Sequence, residues 1–585
     1  MNNPTLNEMP MTRQMIDVFA GYNHNLRIGD TELYDMKNLT SAYYPVLSPR
    51  EQRGVYAEPE NPQGLISKDT LCYVDGKDFY INKAKVQGLI LSTAEEDCPK
   101  SLISMGAYVI IMPDKKYVNT KDITDYGNLE AEFTTQAATT FEICKIDGDS
   151  YGTTVVSGTS PVIADNPAET PLWLDTSTTP HSLKQYSTAN GTWASVATTY
   201  IKISSPGIDV PFEINDGVTI SGIEHQSLKD LNSTMILWGK GEGYLIVTGI
   251  IDASITQDTP ITITRKLPLM DFVIEAGNRL WGCRYGSNIN GDIVNEIYAS
   301  KLGDFKNWNC FMGITTDSYV ASLGTDGQFT GAVSYLGYPI FFKENYLHKI
   351  YGNYPANYQI QNATVRGVQS GCEKSLAIVN EILFYKSRSA ICAYDGSLPA
   401  EISSALGEES YGDAVACAHG NKYYISMKDS SGLYHWFVYD VAKNLWHKED
   451  NTQVDCFCSC DGEIYFIDHA DKKIKTVFGS GIRDSAPVQW MAKTGVIGTG
   501  MPDKKYISRL NVRMSLNIGT QIHFFIEYDS SGKWEHLFAM AGTSLRTFTV
   551  PIRPRRCDHM RIRIDGQGEA KIFSIAKTIE EGSDM

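Results

Sequence analysis

At 585 residues the chain has room for roughly three or four domains of ordinary size, and 42% hydrophobic with 21% charged residues places it among folded chains, not disordered ones. Its 52 Lys and Arg are outnumbered by 68 Asp and Glu, a formal charge of -16 that repels phosphate and excludes tight, salt-sensitive nucleic-acid binding. No apolar run approaches the roughly 20 residues of a membrane span, and Met1 to Met15 hold no apolar leader, so a soluble chain made in the cytoplasm is expected.

In chain order, residues 1–66 read as an N-terminal arm and extended segment. A polar stretch to Gln14 leads into a short strand over Ile16–Tyr22, and Pro45 and Pro49 forbid a helix over 38–50. From residue 67 to 127 short apolar or aromatic runs alternate with turns. Leu71–Val74 turns at Asp75-Gly76 into Phe79–Ile81, and Ala107–Ile111 turns at Pro113-Asp114. These are read as the first blades of a propeller. Between 128 and 268 the texture changes to Thr, Ser, Gly and Pro, which fits a small inserted β-domain.

The rhythm resumes over 269–480, where Tyr338–Phe342 returns as Leu347–Gly352 and Lys422–Met427 pairs across Asp429-Ser430-Ser431-Gly432 with His435–Asp440. Units recur at roughly 40 residues, the spacing of four-stranded propeller blades. An open solenoid of β-units is the alternative. From 481 to 585 the alternation of Ile522–Tyr528, Met560–Ile564 and Lys571–Ile575 suits a C-terminal β-sandwich. The expected fold is all-β: a β-propeller with an inserted small β-domain and a C-terminal β-sandwich.

The 12 Cys of a chain with no leader argue for reduced, buried thiols. Cys456, Cys458 and Cys460 share one strand face near His447 and His469, but no Cys-x-x-Cys pair accompanies them, so an apolar face is expected and no metal or cofactor. Glu449, Asp450 and Asp413 could supply glycosidase carboxylates, yet nothing in their spacing selects a pair, and solvated loop carboxylates are expected. There is no phosphate loop, no His-Glu-x-x-His and no Gly-x-Ser-x-Gly elbow; the expectation is that the chain is not an enzyme. One basic cluster stands out, Arg553, Arg555 and Arg556 between prolines. It is either a solvated loop or a contact with an acidic neighbouring subunit.

The run Asp35 to Arg50, including Tyr43-Tyr44-Pro45, resembles phage tail proteins described as stabilisation or tail-nozzle proteins. So do Ala276–Trp281, Gly303–Trp308, Tyr394–Pro399 and Pro554–His559. The resemblance implies a virion subunit that closes a homo-oligomeric ring, commonly sixfold, beneath portal and adaptor proteins. Such a ring carries tail fibre or tip proteins and lets genomic DNA pass without sequence-specific binding. An acidic wall suits that passage, because it does not grip the phosphates. Tyr43, Tyr44, Arg50, Arg553, Arg555 and Arg556 are the candidate interface residues. The alternative function is a distal tail or baseplate protein that binds host cell-wall carbohydrate, with Trp173, Trp193 or Trp534 stacking on sugars.

Overall fold

Each run-and-turn unit folds into an antiparallel sheet that cannot bury its apolar face alone, so neighbouring sheets stack on one another. The computed structural model describes residues 11–92, 99–151, 155–161, 172–483, 486–500 and 503–581. The chain is all-β, a propeller with an inserted β-domain and a C-terminal sandwich, the helical content of its described residues being single short 3-10 turns. Six four-stranded blades span 62–85, 101–128, 272–322, 329–364, 377–401 and 411–448, and three strands of a seventh span 454–476. The first strands of the blades line the axis, touching one another around the ring, with the turn Glu373–Ser375 filling in between the fourth and fifth.

Aromatic side chains form the seams. Trp436 is fully buried between Phe457 and Phe466 of the next blade, at centroid distances of 4.9 and 5.0 Å, and Phe342 meets Tyr385 at 5.1 Å. The ring is closed by Gly54–Ala57, which pairs with Ile474–Thr476 as the fourth strand of the seventh blade. That pairing excludes an open solenoid. Gly54 is needed there, since a Cβ would press on Ser480 O and lie 2.7 Å from Thr476 Oγ1.

From residue 11 onward the N-terminal segment is therefore no separate arm, which corrects the expectation for 1–66; residues 1–10 lie outside the described residues. Met11–Ile16 pairs with Ile575–Glu580 and Leu33–Lys37 with Met491–Thr494, so both are strands of the C-terminal sandwich. The run 38–50 is not extended either. Leu39–Thr40 pairs back on Ser48–Pro49, and the tight hairpin is wedged between sandwich and sixth blade. Asn38 Nδ2 donates to Gln489 O at 2.7 Å, Ser41 Oγ to Asp440 Oδ2 at 2.5 Å, and Leu47 and Ile572 exchange backbone bonds of 3.0 and 2.9 Å.

The sandwich is organised by one long strand, Lys505–Tyr528, whose first half pairs with Ala570–Glu581 and whose second half pairs with Met560–Gln567. Alternate residues Leu510, Val512, Met514, Ile522, Phe524 and Ile526 are buried, as a strand covered on one face demands. Trp534–Val550 runs along the other side of this strand and among the described residues pairs with nothing else.

The inserted domain, 131–265, carries its own core around Phe141, Ile201, Ile203 and Phe212. It docks on the third blade through buried polar contacts: Gly217 N donates to Asn307 Oδ1 (2.9 Å) and Asn307 Nδ2 to Asp216 Oδ1 (2.8 Å), while Arg265, within the inserted domain, pairs with the same Asp216.

Candidate functional site

Four of the axis-lining strands open with a β-bulge: at Pro62/Gly64, Phe329/Gly331, Gly412/Val415 and Val454/Cys456. A bulge adds a residue and re-aims its side chain, which is why bulges gather beside functional sites. Three of these bulges present Gln63, Asp413 and Asp455 to one cleft of about 570 Å3 at the mouth of the propeller axis. Asp413 takes a left-handed backbone, φ 45°, within its bulge. The loops that begin the fifth blade add Glu373 and Lys374, and those of the sixth and seventh add Tyr434, His469 and Lys472.

The polar groups of the cleft are partly tied together. Asp455 meets His469 Nδ1 at 2.7 Å and Lys472 Nζ at 3.4 Å, while Lys374 Nζ donates to the Asp455 carbonyl at 3.0 Å. Asp413 pairs with Lys428 at 3.2 Å. Gln63 is 9% exposed, and its side-chain oxygen is fully buried with no hydrogen-bond partner among the described residues.

Arg50 lies elsewhere, in a buried cluster that fastens the N-terminal segment to the sixth blade, which corrects its expected place on an interface. It meets Asp450 at 3.2 Å and Glu449 at 3.5 Å; Arg53 meets the same two carboxylates at 3.0 and 2.8 Å. The Arg53 guanidinium also stacks over Trp436, 4.0 Å from the ring centroid. Glu449 and Asp450 are thus not solvated loop carboxylates but the anions of this clasp. Burial disfavours the Asp450 charge, but Arg53 and Arg50 outweigh it and bring its pKa down to about 2.

Because the folded pKa lies below the unfolded value of about 3.9, the stabilisation is complete above pH ~4 and is lost as pH falls toward ~2. Urea unfolding followed by Trp fluorescence is expected to show a loss of about 2 kcal/mol across that window from this group alone, and Asp450→Asn should lack that increment.

Tyr43 and Tyr44 are half-exposed, at 50% and 40%, with Lys571 Nζ 3.8 Å from the Tyr43 ring and Lys443 Nζ 5.7 Å from that of Tyr44. Arg553, Arg555 and Arg556 are exposed just beyond the strand Trp534–Val550, and Arg555 reaches Glu535 at 2.8 Å. Trp173 is buried and packs edge-on against Trp193 at 5.6 Å; Trp534 lies beside Lys493 and Arg563. These tryptophans are engaged within the chain and form no open sugar platform.

Cys458 and Cys460 are buried in a seam with Leu65, Tyr73 and Ile474, and burial pushes the Cys458 thiol up, away from thiolate chemistry. His447 is buried as well, which lowers its pKa to about 3.

The sequence pattern gave no sign of Gln63, Glu373 or Asp455, and it named Asp413 only as one carboxylate among many. Their shared trait is position: each lies at or just before the residues that open an axis-lining strand.

No family model and no curated protein matches the sequence. Solved structures that match include an exo-β-1,3-galactanase from Phanerochaete chrysosporium (10% identity, 52% of this chain and 94% of that chain, TM-score 0.22). A Trypanosoma rangeli sialidase in complex with sialic acid also matches (10% identity, 91% and 95%, TM-score 0.22), as does Raptor from Chaetomium thermophilum (10% identity, 74% and 30%, TM-score 0.27). The expectation that this chain is not an enzyme is corrected here, because the matched structures include a galactanase, a sialidase and a glycoside hydrolase. At such identities and TM-scores none of their activities is carried over to this chain.

Proposed function

We propose that the chain is a subunit of a bacteriophage tail, one copy of a homo-oligomeric ring that forms part of the DNA-ejection channel and a platform for other tail proteins. The observation that supports this reading is that two strands of the sandwich pair on one side only among the described residues. One edge is Met11–Ile16, continued by Leu47 against Ile572 and flanked by Tyr43 and Tyr44; the other is Trp534–Val550, which runs straight into Arg553, Arg555 and Arg556. Two different edges on one sheet suit a heterologous contact, in which each copy offers one edge to the next, and such contacts close into a ring when the rotation between copies divides a full turn. Tyr and Arg are the side chains interfaces favour.

The sequence runs that carry the resemblance to tail proteins add support, since they fall at joints of the fold. Asp35 pairs with Lys448 at 3.4 Å, and Asn307 holds the inserted domain. The charge of -16 suits a conduit for DNA.

Mass photometry and negative-stain images of the full chain are expected to show closed rings. Met15→Lys with Leu545→Lys, both at exposed edge positions (63% and 45%), should release single folded copies. A wild-type chain that stays a single copy at every concentration tried, and is absent from purified virions, overturns the reading.

A further inference from the structure

The C-terminal sandwich turns two sheet faces away from its core, and they treat their arginines in opposite ways. On the face built from the second half of the strand Lys505–Tyr528, Arg561 lies 4.0 Å from Glu527 and 5.1 Å from the Tyr34 ring centroid, and Arg563 lies 3.0 Å from Asp565 and 4.6 Å from the Phe525 ring centroid. On the face built from the first half, Arg13, Arg509 and Arg513 are exposed and make no ion pair, hydrogen bond or ring contact among the described residues. Strand register brings these three together. Arg13 and Arg509 both stand opposite Thr578, and Arg513 stands opposite Ser574, while buried Leu510 and Val512 alternate with them toward the core. That places Arg13 and Arg509 about 10 Å apart across the sheet, and Arg509 and Arg513 about 13 Å apart along the strand. Glu580, at the end of the same face, is taken by the Tyr506 hydroxyl at 2.6 Å.

The counter-charge lies in another part of the same chain. Residues 481–585 carry 15 Lys and Arg against 11 Asp and Glu, whereas residues 131–265 carry 6 against 15. In the inserted domain Glu224, Asp230, Asp252 and Asp258 are exposed and form no ion pair among the described residues. Glu224 and Asp230 flank the turn Gln226–Leu231, Asp252 and Asp258 flank the strand Ile255–Gln257, and Glu224 N donates to Gln257 Oε1 at 2.9 Å, which joins the two pairs into one surface. Lys229, in the same turn, offsets one of these charges.

From this complementarity we infer that the arginine face of one copy docks on the acidic end of the inserted domain of a second copy, guanidinium to carboxylate. The inference rests on the reading that copies of this chain associate, and it adds which surfaces meet. Met11 and Met15, 64% and 63% exposed, alternate with Arg13 on the same face, so the face continues into the edge strand offered for that association. Met and Arg together are the composition of a protein contact, whereas a phosphate backbone has no use for the methionines. The planar fork of Arg suits carboxylates, and screening beyond about 10 Å lets the facing surfaces decide, not the total charge.

Sedimentation velocity of the full chain over a concentration series tests this. Association of the wild type is expected to weaken between about 50 mM and about 500 mM salt. Arg509→Glu with Arg513→Glu should weaken it about tenfold or more at the lower salt, and Glu224→Lys with Asp258→Lys should do the same, with melting temperatures within about 2 °C of wild type because these side chains have no internal partners. All four substitutions in one chain exchange the signs of the two surfaces and should restore association. A wild type that stays a single copy, arginine variants that associate like the wild type, or a fourfold variant that is not restored each overturns the inference. So does a 30-base-pair duplex retained by the wild type and lost by the arginine variant while association is unchanged, which would assign the face to a phosphate polyanion. Closed rings indifferent to the arginines would leave the ring reading standing alone; salt-sensitive pairs that need the arginines but never close would leave this inference standing alone.

Discussion

Arg53→Ala is expected to destabilise the protein by about 3–5 kcal/mol, the loss that follows when one partner of a buried ion cluster is removed and its charges are left uncompensated. Arg53 is the hub of the clasp. Its guanidinium meets Glu449 and Asp450 at 2.8 and 3.0 Å and covers the buried Trp436 ring. Arg50 shares both carboxylates but lies farther from Glu449, at 3.5 Å, and burial together with the nearby Arg53 charge lowers its own pKa. For Arg53 burial also works against the charge, yet Asp450 and Glu449 prevail and its pKa is raised. The carboxylates are therefore organised around Arg53, and Arg50 cannot replace it. Arg53→Lys should recover part of the loss, retaining the charge without the planar fork. Equilibrium urea unfolding compares the three proteins, and a change under about 1 kcal/mol for Arg53→Ala would mean that the clasp is ornamental.

Val55→Pro is expected to open the ring. Val55 sits opposite Lys475 on one side and Ile482 on the other, so the strand Gly54–Ala57 has no solvent-facing edge on which a missing N–H would be harmless. The substitution forfeits a ladder bond and leaves a buried backbone group unpaired, at about 1–3 kcal/mol, to which the clash of the pyrrolidine ring adds, for a loss of at least about 3 kcal/mol. Hydrogen exchange should report this locally, with the amides of Ile474–Thr476 losing protection before those of the inserted domain. Val55→Ala, which keeps the N–H, should retain that protection. Equal protection in the Pro variant would show that the ring does not depend on this strand.

Much of the fold could be read from residue order. Tyr338–Phe342 with Leu347–Tyr351, and Lys422–Met427 with His435–Asp440, announce themselves because aromatic and β-branched runs flank turns of Asp, Asn and Gly, and both pairs are adjacent strands of one blade. The strand Met11–Ile16 was hidden for a physical reason. It is an edge strand with three of its six side chains exposed and only Ile16 buried, so Met-Thr-Arg-Gln-Met-Ile carries little apolar alternation to detect. Arg50 was misplaced because its partner Asp450 lies 400 residues away, and nothing local distinguishes a paired guanidinium from a free one. The cleft was illegible because a bulge leaves composition and periodicity almost untouched while redirecting one side chain, and that redirection places Gln63, Asp413 and Asp455 in a common cavity.

The pairing of Met11–Ile16 with Ile575–Glu580 also sets an order of events during synthesis. The first described strand to be made finds its place only after about 560 further residues have followed, an interval of roughly half a minute to two minutes at about 5–20 residues per second. Until then Met11 and Met15 wait beside a nascent chain whose sandwich lacks an outer strand, although both strands that close the propeller, Gly54–Ala57 and Ile474–Thr476, have already been made. In the ring proposed above, a newly made copy would present its Met11–Ile16 edge only once that strand has met Ile575–Glu580.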